Sequence, residues 1–115
     1  MLLYNVADKI VFNILKRINV GFLEISTFSG EVLKFGNPND KLTVNLKIKN
    51  PALNFNLIKG GSIGFAECYM RDEFETNNLS NLIELTARNI NIMHKFAGVL
   101  DLKFLNFIKN RFIKN

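Results

Sequence analysis

At 115 residues, 48% hydrophobic and 22% charged, the chain is sized for one packed core and is too apolar to be disordered. The longest stretch without Asp, Glu, Lys or Arg, residues 50–58, is nine residues, against the roughly 20 that a spanning helix needs. A formal charge of +5 is unevenly spread: residues 67–84 hold five acids and one base, and residues 95–115 hold five bases and one acid. Such asymmetry points to an oriented surface with its basic end towards an anionic partner.

Asn5 with Asp8 three residues on resembles a capping box and predicts a helix reaching about Ile18. Ala7, Ile10, Val11, Ile14 and Ile18 share its core side by helical spacing. Phe12 falls on the opposite arc among Asp8, Lys9 and Lys16, where an exposed aromatic between lysines suits a lipid headgroup region or a partner domain. Cover by a neighbouring loop is the competing reading.

Gly21 opens extended structure, in which Leu23 and Ile25 alternate with Glu24 and Ser26, Ser29 and Gly30 turn, and residues 32–35 return as a hairpin. After a loop over residues 36–40, Leu42, Val44, Leu46 and Ile48 alternate with Thr43, Asn45, Lys47 and Lys49, a strand with one buried and one wet face. Pro51 starts a short helix that carries Leu53, Leu57 and Ile58 inward and that Gly60 and Gly61 end. Asn78 caps a further helix running to about His94, with Leu79, Leu82, Ile83, Thr86, Ile90 and Met93 on one stripe.

Residues 95–112 are again helical in pattern. Phe96, Leu100, Phe104, Phe107, Ile108 and Phe112 share a broad face, while Val99, Leu102 and Ile113 lie on another. A helix apolar on two sides wants two apolar neighbours. The expected organisation is therefore an α+β domain over residues 1–94, a small antiparallel sheet covered by helices, followed by a long amphipathic helix over residues 95–115.

Catalytic and cofactor chemistry find little footing. His94 is the only histidine and has no acid near it in sequence, and Cys68 is the only cysteine, without partners at metal spacing, so a packed thiol is expected. Gly60, Gly61 and Gly64 lack the spacing of a phosphate loop and read as helix-ending and packing glycines. Glu67, Glu73 and Glu75 could pair for acid-base work, yet such acids are most often solvated. Only four of fifteen basic residues are arginine, which argues against base-specific nucleic-acid readout.

Residues 60–76, GGSIGFAECYMRDEFET, resemble the amino-terminal domain of the cyclopropane-fatty-acyl-phospholipid synthases, S-adenosylmethionine-dependent methyltransferases that act on acyl chains of membrane phospholipids. The family stretch has two glycines, a third after a hydrophobic residue, then Ala-Glu-x-Tyr-Met and an aromatic before Thr. Gly60, Gly61, Gly64, Glu67, Tyr69, Met70 and Phe74 match it here. Residues 79–89 and the hairpin with Gly30 continue the likeness. One departure stands out: the family glycine after Tyr-Met is replaced by Arg71-Asp72-Glu73, so if that position needs a left-handed turn, Asp72 must take it.

The resemblance implies a sterol-carrier-like layout and a non-catalytic role presenting phospholipid to a methyltransferase domain, in cis beyond Asn115 or in trans. No cofactor residue carries over, because the family's cofactor loop lies in that other domain. The expected setting is cytoplasmic, since residues 1–4 offer no secretory signal, and peripheral to an anionic membrane face. The expected contact residues are Lys9, Phe12 and Lys16 together with Lys103, Phe104, Phe107, Lys109, Arg111 and Phe112, while Phe65, Tyr69, Met70 and Phe74 are expected to supply core. A structural interaction module or homodimer without lipid binding is the alternative, and an enzyme built on Glu67 a remote third.

Overall fold

The computed structural model describes residues 2–93, the side chain of Ser62 excepted. Its elements run α1 (Leu2–Leu15), β1 (Phe22–Ser26), β2 (Val32–Gly36), β3 (Thr43–Ile48), α2 (Leu53–Met70), β4 (Phe74–Thr76), α3 (Leu79–Arg88) and α4 (Ile90–Met93). The architecture is α+β, with one four-stranded sheet in the order β2-β1-β3-β4. The helix expected over residues 95–112 lies outside the described residues.

The sheet is mixed, which corrects the antiparallel expectation. β1 and β2 form the expected hairpin, pairing Phe22 with Gly36 through Ser26 with Val32. β3 then lies on the other side of β1 and parallel to it, Phe22 beside Thr43 and Ser26 beside Lys47. The loop between β2 and β3 carries the chain across the start of β1, and Asp40 holds it there. One carboxylate oxygen accepts from the Gly21 amide at 2.8 Å and the other from the Leu42 amide at 2.9 Å. These two backbone bonds hold its carboxyl below the usual range. The crossing is close enough that a Cβ on Gly36 would run into the Gly21 carbonyl, and Gly36 takes φ +90°, which only glycine adopts freely.

Alternation sets the two faces of the sheet. Leu23, Ile25, Phe35, Val44, Ile48 and Phe74 turn inward and are buried, joined by Val11 and Leu15 of α1, Leu53 and Cys68 of α2, Leu82 and Leu85 of α3 and Met93 of α4. Glu24, Lys34, Asn45, Lys47 and Glu75 occupy the opposite, wet parity. The alternation read over residues 42–49 is borne out. β4 was not foreseen: it is three residues long, and its pairing of Phe74 with Ile48 and Thr76 with Leu46 is hidden in an acidic stretch.

Helix boundaries follow local chemistry. Asn78 caps α3 as expected, its side chain accepting from the Asn81 amide at 3.1 Å. The single helix expected to His94 instead breaks at Asn89, whose side chain leaves helical company to bond elsewhere. It accepts from the amides of Asn19 and Val20 and donates to the carbonyls of Val20 and Leu85. The capping box at Asn5 is absent, because α1 is already helical from Leu2. Asp8 accepts instead from the amide of buried Asn54 at 3.0 Å, tying α1 to α2.

Candidate functional site

The family-like stretch begins inside α2. Gly61 departs from helical geometry at φ 61° and ψ −137°, splitting α2 into two pieces. The glycines therefore interrupt the helix as expected, but helix resumes and runs to Met70. Gly64 is the packing glycine of the set: a Cβ there would stand 2.8 Å from the Asn56 carbonyl oxygen, whereas one on Gly60 would meet nothing within 4 Å.

At the far end Asp72 takes φ 59°, the left-handed turn expected of it if the glycine of the resembling stretch serves such a turn. The Glu73 amide donates back to the Cys68 carbonyl at 2.9 Å and the Asp72 amide to the Tyr69 carbonyl at 3.0 Å. This is the Schellman arrangement that closes a helix. Glu73 turns inward and is buried, receiving Arg71 Nε at 2.6 Å and Asn56 Nδ2 at 3.0 Å. Burial pushes its carboxyl up, but the hydrogen bonds from Arg71, Asn56 and Cys68 outweigh that and hold it below the usual range. Burial first, then Glu73, push the Cys68 thiol up to about 12, so it is a packed, unreactive thiol.

Two of the four expected core aromatics and sulfurs are displaced. Phe74 is buried, with Phe65 stacked on it at 5.5 Å. Tyr69 only leans on Phe74 at 5.7 Å and is half exposed, and Met70 is 75% exposed. Two residues so close to the helix end cannot both face inward when Cys68 and Phe74 already fill that side. Glu67 is exposed, as solvated acids usually are.

The expected contact surface on α1 is redrawn. Lys9 and Lys16 are exposed, but Phe12 is not: it is half-buried, packed against the core and stacked on Phe35 of β2 at 6.1 Å. Conversely Ile10, expected in the core, is exposed. Ala7, Val11 and Leu15 form the buried line, with Phe12 flanking it towards the hairpin. On the other flank Leu2, Leu3, Val6 and Ile10 stand 44–76% exposed. Leu2, Val6, Ile10 and half-buried Ile14 lie four apart and Leu3 falls on the same side, one apolar row along the helix. The signal was in the sequence, since apolar residues occupy well over half of the circumference of α1, more than one neighbour can cover. Lys103, Phe104, Phe107, Lys109, Arg111 and Phe112 lie outside the described residues.

α4 packs against α1. It follows directly on Asn89, which is pinned beside Asn19 and Val20 just past the end of α1. On the outer face of the sheet a groove of about 360 Å³ is lined by Glu24, Ser26, Asn45, Lys47, Glu75 and Asn77. Its charges are of both signs, and Lys47 reaches Glu75 at 4.0 Å, which leaves little field for an ion. Among the described residues no three His, Cys, Asp or Glu side chains gather as metal ligands, and no helix is long and apolar enough to cross a membrane. No family model, curated protein or solved structure matches the chain.

Proposed function

We propose that the chain is a non-catalytic docking domain that meets an anionic phospholipid surface, peripheral to the membrane, and serves a methyltransferase domain in cis or trans. The family-like residues 60–76 supply the link to phospholipid methylation. The observation that carries the docking role is the α1 side of the molecule. It combines exposed Leu2, Leu3, Val6 and Ile10 with exposed Lys9 and Lys16, and α4, which precedes the basic, phenylalanine-rich residues 95–115 in sequence, packs against α1.

Each aliphatic side chain fully removed from water contributes about 1.5–3 kcal/mol, and each lysine near an anionic surface about 1 kcal/mol. Together they suffice for reversible attachment.

Cosedimentation with phosphatidylserine vesicles and with purely zwitterionic vesicles tests this. The domain is expected to sediment with the anionic vesicles at low salt, to be released at high salt, and to bind more weakly when Lys9→Glu and Lys16→Glu are combined. No retention on anionic vesicles at low salt overturns the lipid role and leaves a protein interaction module.

A further inference from the structure

We propose that the exposed row of α1, Leu3, Val6 and Ile10, is the seat of the chain's own carboxy-terminal segment, residues 94–115. The row is too long and too apolar to be incidental: it follows one side of α1 for most of the 14 residues of that helix, whereas scattered single apolar residues are the norm at protein surfaces.

Where the chain leaves the described residues selects the occupant. Asn89 fixes the start of α4 beside residues 19–20, Met93 is buried in the same core as Val11 and Leu15, and α4 touches α1. α4 therefore ends in contact with α1, and the row lies on that same helix, from half-buried Ile14 to exposed Ile10, Val6 and Leu3.

Length and pattern agree. The 22 residues from 94 to 115 would span about 33 Å as a helix at ~1.5 Å per residue, and α1 about 21 Å, so the segment can follow the whole row. Its sequence has apolar residues on two sides, Phe96, Leu100 and Phe104 on one, Val99 and Leu102 on the other. One side can lie on α1 while the other remains at the surface. An intramolecular occupant also has the advantage of high effective concentration over a second copy or a separate protein. The inference does not depend on lipid binding: the segment holds the row in lipid-free solution and must leave it for the same side chains to meet an anionic surface.

Trypsin digestion of the full chain in lipid-free buffer tests it, read by mass spectrometry at Lys103 and Lys109. Cleavage there is expected to be slower by about tenfold or more than in a free peptide of residues 94–115, because proteolysis follows the open population. Ile10→Glu and, separately, Leu3→Glu should each restore fast cleavage. Both sites are exposed, so the core survives, and Ile63→Glu on α2, more exposed than either, should leave the rate unchanged. Cleavage of the unaltered chain at the peptide rate overturns the proposal, as does protection indifferent to both α1 variants. Protection that disappears on dilution also overturns it and assigns the row to a second copy.

Discussion

Asp72 occupies a backbone position that costs most side chains about 1–2 kcal/mol and glycine nothing. Its compensation is a contact with Lys49 Nζ at 2.5 Å, in which the carboxylate is largely exposed and hence weak. Asp72→Ala is expected to lose about 1–2 kcal/mol, whereas Asp72→Gly should be neutral or stabilising; urea unfolding of both decides it. A loss of equal size in both would mean that the Lys49 contact, not the backbone, governs the site. This position was legible only through the resemblance of residues 60–76, which would put a glycine there. Phe12 and Ile10 were not, because helical spacing gives a wide apolar arc on α1 and only the placement of α2, β2 and α4 decides which third of it is covered.

Among the elements, those with a strong repeat of their own were readable: the hairpin, β3 and the start of α3. β4 was not, since a three-residue strand has too few side chains to show a period, and its single deep anchor, Phe74, sits among acids. The parallel neighbour of β1 was equally hidden, because alternation assigns faces but not partners. The break between α3 and α4 comes from tertiary bonding at Asn89, which joins groups about 70 residues apart. Asn89→Ala would strand amides of Asn19 and Val20 in a partly buried site, and a loss of about 2–3 kcal/mol is expected. A change below about 0.5 kcal/mol in urea unfolding would show that water replaces the side chain there.

For the molecule as a whole, stability should form a plateau in pH. Glu73 and Asp40 are held below their usual range when folded, so their contributions are present above the unfolded carboxylate range and are lost as pH falls through the lowered values. Cys68 runs the other way: raised from 9.0 to about 12, its contribution is complete below about 9 and lost as pH climbs from about 9 towards about 12. Urea midpoints across pH check both limbs. Glu73→Gln should flatten the acid limb and Cys68→Ala the alkaline one, and limbs unchanged in these variants would assign the loss to other groups.

The two loops beside β2 differ in what they can absorb. At the hairpin tip Phe28, Ser29 and Gly30 are exposed and nothing approaches Gly30, so added length there costs little beyond loop entropy. The crossing loop is a measured span: one more residue between Asn37 and Leu42 would take Asp40 off the Gly21 amide or slide β3 along β1. Sliding by one position turns Val44 and Ile48 to the wet face. Lineages descended from such a chain are free to lengthen the tip and are held to constant length at the crossing, so insertions should accumulate on one side of β2 and be missing from the other.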